Sequence, residues 1–197
     1  WDFKKKQFVQ LEGGEDIKKT IDAMFSPDST RLFIRERIGL TSINTYLFDL
    51  KTGRKISLEG QPQPLQFASI QFSGDGNKLL AQQNDGQYCV WKTSNGKKIT
   101  SMPRPSFHNS SGTYGRNGND FVYVDLGSNG ETFAWDSKRG MVALEGNAEN
   151  AKNPHVSSNG KTIVALSEQT IPVKESAIIA WDFETGKKYR LPWRGRK

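Results

Sequence analysis

Short apolar runs alternate along this chain with polar clusters rich in Gly, Asn, Asp and Ser. Leu32-Phe33-Ile34, Leu79-Leu80-Ala81, Phe121-Val122-Tyr123-Val124 and Ile163-Val164-Ala165-Leu166 are β-prone and too short for helices. Turn clusters precede three of them: Phe25-Ser26-Pro27-Asp28-Ser29, Phe72-Ser73-Gly74-Asp75-Gly76 and Val156-Ser157-Ser158-Asn159-Gly160. Their residues preset a turn dihedral or tolerate a positive φ. No segment sustains an apolar period of 3.6, so the pattern predicts strands throughout and essentially no helix.

The strands recur as a unit. Aromatic-plus-polar pairs fall at Trp1-Asp2, Phe48-Asp49, Trp91-Lys92, Trp135-Asp136 and Trp181-Asp182, at intervals of 47, 43, 44 and 46 residues. Similar turns follow at Leu50-Lys51-Thr52-Gly53-Arg54, Ser137-Lys138-Arg139-Gly140 and Phe183-Glu184-Thr185-Gly186-Lys187. Leu-Glu-Gly closes three units, at 11–13, 58–60 and 144–146. Each unit reads as strand a, tight turn, strand b, loop, strand c ending in the aromatic, tight turn, strand d. Whole units span 21–60, 67–103, 108–146 and 153–193, and 1–13 reads as the end of a preceding one. A start at Trp1, and a last unit with its own strand d at 188–191, point to a piece of a longer protein.

A period near 40–45 with this dipeptide belongs to four-stranded propeller blades. The chain resembles the WD-repeat β-propeller family over its whole length, best at Asp85-Gly86-Gln87-Tyr88-Cys89-Val90-Trp91. The resemblance implies an all-β fold of four-stranded antiparallel blades, about four of them, from a seven- or eight-bladed ring. The chain departs from the family where Gln61 and Asn147 follow Gly60 and Gly146 in place of the usual Gly-His. Asn129, Ser42 and Glu175 stand at the offset of Asp85 in the other units. The family's buried His-Ser-Asp-Trp set is therefore absent, and blade cohesion is expected to rest mostly on apolar packing. The third unit looks weakest: its strand a, 110–114, is polar, and the glycine-rich 112–118 stretch reads as a turn.

With 197 residues and 19 glycines, the composition suits a β protein with many turns. Cys89 is the only cysteine, which excludes an intramolecular disulfide; its strand position predicts a buried, inert thiol. No apolar run approaches a membrane span and no signal peptide is visible, so a cytoplasmic location is expected. His108 and His155, the only histidines, share no ligand spacing with each other or with Cys89. No nucleophile elbow, phosphate loop or dinucleotide fingerprint appears, so neither a catalytic, metal nor cofactor site is expected.

Function therefore falls to the surface. In the family's geometry the d–a and b–c loops share one face, and here they carry Arg37, Leu40, Gln61, Arg104, Phe107, Ile171 and Lys174. Long b–c loops (37–44 and 169–175) and proline-bearing d–a loops (61–64 and 102–105) suit a protein partner, or another domain of the parent chain. The opposite face collects Lys51, Arg54, Lys97, Lys98, Lys138, Arg139, Lys187 and Lys188, with a formal net charge of +7 for the chain. That rim suits nucleic acid or another polyanion, although Asp49, Asp136, Asp182 and Glu184 neutralise part of it. A non-catalytic interaction scaffold is the first expectation and polyanion binding the second. The third is a propeller attached to an enzyme whose catalytic residues lie outside this segment.

Overall fold

The computed structural model describes residues 10–14, 19–37, 43–60, 70–82, 87–103, 111–117, 119–127, 130–146, 148, 151–169 and 175–193. These contain strands and turns and no α-helix. Four four-stranded sheets form, each an antiparallel meander in chain order. The first holds β1 (Thr20–Phe25), β2 (Arg31–Arg37), β3 (Ile43–Asp49) and β4 (Lys55–Ile56). The second holds β5 (Ile70–Phe72), β6 (Lys78–Gln82), β7 (Tyr88–Lys92) and β8 (Lys98–Met102). The third holds β9 (Ser111–Asn117), β10 (Asp120–Leu126), β11 (Thr132–Asp136) and β12 (Gly140–Met141). The fourth holds β13 (Lys152–Val156), β14 (Thr162–Gln169), β15 (Glu175–Asp182) and β16 (Lys188–Trp193). This is a propeller-like repeat architecture, and no helix among the described residues is long and apolar enough to cross a membrane. The chain divides into two compact units, Trp1–Ser101 and Met102–Lys197, each containing two of the sheets.

The polar clusters between strands are built turns. Ser26 Oγ accepts the Arg31 N–H at 2.9 Å, and Asp28 Oδ1 accepts the Thr30 N–H at 3.1 Å. Ser73 and Asp75 repeat this with Lys78 at 2.9 Å and Asn77 at 3.1 Å. Ser157 and Asn159 repeat it with Thr162 at 2.9 Å and Lys161 at 3.1 Å. The acid of the aromatic–acid pair folds the c–d turn. Asp49 Oδ1 accepts the Lys51 and Thr52 N–H groups at 2.9 Å each, and Asp136 Oδ1 those of Lys138 and Arg139 at 2.7 and 2.9 Å. Asp182 Oδ1 accepts the Thr185 N–H at 2.7 Å. Side chains here take over donors that the strand ladder leaves unpaired.

These turns titrate. Partial burial works against ionisation of Asp28, Asp49 and Asp75, but hydrogen bonds outweigh it and hold all three below the usual carboxylate range. The Thr185 N–H and hydroxyl do the same for Asp182. A folded-state value below the unfolded one gives stability that is complete above the unfolded value, about pH 4. It is lost as pH falls through the lower folded values. The midpoint of thermal unfolding is thus expected to hold from neutrality to about pH 4 and to drop below it. Asn159 makes the same turn without titrating. Asp75→Asn removes the charge and the oxygen that accepts the Asn77 Nδ2–H at 3.0 Å, so it should lower the neutral midpoint and flatten the acid slope, as a pH series of melts would show.

The third sheet departs from its expected form. The glycine-rich stretch expected to be a turn is strand: residues 112–117 pair in register with 120–125. A Cβ on Gly115 would lie 2.7 Å from Val156 Cβ, so glycine lets β9 lie close against β13. Cys89 is fully buried, as its position predicts, and its thiol donates to Gln87 Oε1 at 3.7 Å.

Candidate functional site

Within each unit the two sheets meet by the same rule. Phe33 and Leu47 of the first sheet pack against Phe72, Leu79, Ala81, Cys89 and Trp91 of the second, flanked by Ile56 and Leu58. Val124 and Ala134 of the third pack against Ile163, Ala165, Ala177, Ile179 and Trp181 of the fourth, flanked by Val142 and Leu144. In each of these two joints a leading face, which carries the strand-c tryptophan, covers the trailing face of the sheet before it.

A polar clasp crosses the same joints. The Glu59 N–H donates to Gly96 O at 2.8 Å, and Glu59 Oε2 accepts the Lys98 N–H at 2.9 Å. Glu59 O accepts Trp91 Nε1–H at 2.9 Å. Glu145 repeats all three bonds, to Gly186 at 2.8 Å and with Lys188 and Trp181 at 3.1 Å each. Glu12 makes two, to Gly53 at 2.8 Å and with Lys55 at 3.0 Å; the third has no donor, because Phe48 replaces tryptophan. The recurring Leu-Glu-Gly is this clasp, and it adds backbone and side-chain hydrogen bonds to the apolar packing of the joint. Two strand-d ends lack it, reading Ser101-Met102-Pro103 and Leu191-Pro192-Trp193. The first coincides with the division between units.

An arginine reinforces each joint from a different sequence position. Arg31, at the start of β2, pairs with Asp49 at 2.9 Å and donates to Thr93 O at 3.2 Å. In the third sheet Val122 holds the register place of Arg31, opposite the turn aspartate. There Arg139 reaches instead from the c–d turn, to Asp136 at 3.6 Å and to Phe183 O at 3.3 Å, with its guanidinium 5.0 Å from the Phe183 ring. Thr93 and Phe183 each stand two residues past the tryptophan, so both guanidinium groups meet the same carbonyl.

Beside Arg139 opens a cleft of about 450 Å³, lined by Asp120, Asp136, Lys138, Arg139, Gly160, Lys161, Phe183 and Glu184. Its three cations face three carboxylates, so its field is largely neutralised.

Of the rim residues, Lys51, Arg54, Lys97, Lys98, Lys138, Arg139 and Lys187 are exposed at the c–d turns, and Lys188 is half-buried. The backbone N–H groups of Lys98 and Lys188 serve the clasp. Arg37 is exposed at the end of β2. Leu40, Gln61, Arg104, Phe107, Ile171, Lys174 and His108 lie outside the described residues. His155 is exposed on β13 opposite Val164. No group of acidic, histidine or cysteine side chains suited to a metal ion occurs among the described residues.

Comparison with protein-family models finds no match, and comparison with curated proteins finds none. Among solved structures, the chain is similar to the computationally designed Ika8 protein, with 20% identity and a TM-score of 0.52. The match covers 100% of this chain and 55% of that one. It also matches Kuenenia stuttgartiensis hydrazine synthase, with 15% identity and a TM-score of 0.46, over 96% of this chain and 52% of that one. The chain spans about half the length of these structures, and the likeness to the designed protein is one of fold alone.

Proposed function

We propose that the chain is a non-catalytic binding module of WD-repeat propeller type, with blades that belong to a seven- or eight-bladed ring. It engages a protein partner, or another domain of its parent chain, through its b–c hairpins and d–a loops. One observation carries this reading. Counted from the residue opposite the turn aspartate or its equivalent, the b–c ladder runs seven pairs in the first sheet and eight in the fourth, against five in the second. At about 3.3 Å per residue, those hairpins stand roughly 7–10 Å farther out. Their tips contain Arg37, Leu40, Ile171 and Lys174.

Replacing 37–43 and 169–175 with the short Asn-Asp-Gly turn of the second sheet tests the reading. Loss of the proteins captured by the parent chain, with circular dichroism unchanged, is the expected result; an unchanged captured set contradicts it. The exposed cations at the c–d turns support polyanion binding as a second reading. For that reading, affinity for heparin would fall steeply with salt and with Lys97→Glu/Lys98→Glu.

A further inference from the structure

The two joints differ at one place. In the first, the Ser26–Asp28 turn folds over onto the second sheet, and the Asp28 carboxylate lies against Gly76: a Cβ added at that glycine would meet Asp28 Cγ at 2.6 Å. Gly76 closes the Ser73–Asp75 turn with a φ of 72°, and Gly160 closes the matching Ser157–Asn159 turn with a φ of 69°. The third sheet has no turn of the Ser26–Asp28 kind. Its β9 and β10 stay paired out to Asn117 and Asp120, and Asn119 holds the place before Val122 that Asp28 holds before Arg31. The cleft beside Arg139, with Gly160 and Lys161 in its wall, opens at this place.

The side chains around it add both signs of charge. Lys161 and Arg139 stand where the first joint has Asn77 and Thr52, and Asp120 and Glu184 where it has Ser29 and Ser94. Two of the acids are engaged within the fold. Asp136 accepts two turn N–H groups and pairs with Arg139, and Asp120 accepts the Ser137 hydroxyl at 3.4 Å. Asn159 replaces Asp75, so Lys161 lacks the neighbouring acid that Asn77 Nδ2 reaches at 3.0 Å. The exposed Lys138 and Lys161 ammonium groups make no salt bridge among the described residues. A peptide turn with an aspartate suits this wall, its carboxylate facing the two lysines and its backbone N–H groups facing Glu184. A chain of anions would instead meet Glu184 as a repulsive group.

We propose that this cleft docks an aspartate-bearing turn of a partner protein, whose carboxylate takes beside Gly160 the place that Asp28 takes beside Gly76. The first joint is then an intramolecular example of the contact. The site lies at the c–d turn of the fourth sheet, at the other end of β15 from the hairpin tip, and stands apart from the hairpin reading.

Titrating the full chain with a cyclic peptide that carries Ser-Pro-Asp-Ser-Thr, the sequence of residues 26–30, tests it by amide chemical shifts. The largest changes are expected at residues 138–139 and 160–161. Asp→Asn in the peptide, or Lys161→Glu in the chain, should each weaken binding about tenfold, the usual scale for losing one charged hydrogen bond. Lys97→Glu, at the c–d turn of the second sheet, should leave it unchanged. Absence of shifts at these four residues at millimolar peptide overturns the proposal. So does an Asn peptide that binds as tightly as the Asp one. Equal weakening by Lys97→Glu and Lys161→Glu overturns it too, since the attraction would then be to the rim as a whole.

Discussion

Trp91→Ala is expected to cost about 3–5 kcal/mol of unfolding free energy, the usual range for deleting a large buried aromatic side chain. The indole is fully buried between the first and second sheets, against Phe33, Leu47, Phe72, Leu79, Ala81 and Cys89. Its Nε1–H also ties it to Glu59 O at 2.9 Å, so the substitution opens a cavity and removes one of the three clasp bonds. Against a typical total of about 5–15 kcal/mol, such a loss is a large share. Trp91→Phe should cost less, because the first sheet already accommodates Phe48 in the same register place at 0% exposure. Urea unfolding followed by far-UV circular dichroism measures both, and equal costs would mean that a phenyl ring recovers none of what the indole contributes.

The second large effect is expected at Gly96. Its φ is +70°, and an added Cβ would stand 1.8 Å from Ser57 O and 2.8 Å from Ser57 C. Both are backbone atoms, so no flexible side-chain end can give way. A left-handed residue with a Cβ costs about 1–2 kcal/mol by itself. Retreat of the 57–59 segment would also break the bonds from Glu59 to Gly96 and from Lys98 to Glu59, at about 1 kcal/mol each. Gly96→Ala should therefore cost about 3–4 kcal/mol in total. Gly140→Ala is the matched control: its φ is +82°, and nothing lies within 4 Å of the built Cβ. Only the backbone term of about 1–2 kcal/mol applies there. Equal losses at the two glycines would show that close approach at the joint adds nothing.

The alternation of apolar and turn residues was enough to locate most of the strands. It works because β-prone runs bounded by Ser-x-Asp and Asn-Gly clusters admit few other structures. The third sheet resisted, since Gly112 and Gly115 read locally as turn residues. The reason for glycine at 115 is the approach of β13, which is a tertiary fact. The joints were half legible. Leu-Glu-Gly stands out as a repeat, but its offset from its partners is 39 residues for Glu59 and Lys98, and 43 for Glu145 and Lys188. Only folding brings such separated backbone donors together. The arginine bridge was hidden more deeply, because Arg31 and Arg139 occupy different places in their repeats and converge only in space. The exposure of single apolar side chains was invisible for a related reason: Leu166 and Phe25 look like core residues in sequence, and only exposure separates them from Leu79 and Phe72.

The central claim is that repeated sheets are joined in each unit by a glutamate clasp over an apolar joint. Amide hydrogen exchange measures this directly, because the Glu59 and Glu145 N–H groups lie outside the strands yet donate across the joint at 2.8 Å. Both amides, with the indole N–H groups of Trp91 and Trp181, are expected to exchange as slowly as those of the strands they bridge. Exchange at Glu59 and Glu145 as fast as in an unstructured peptide would contradict the clasp.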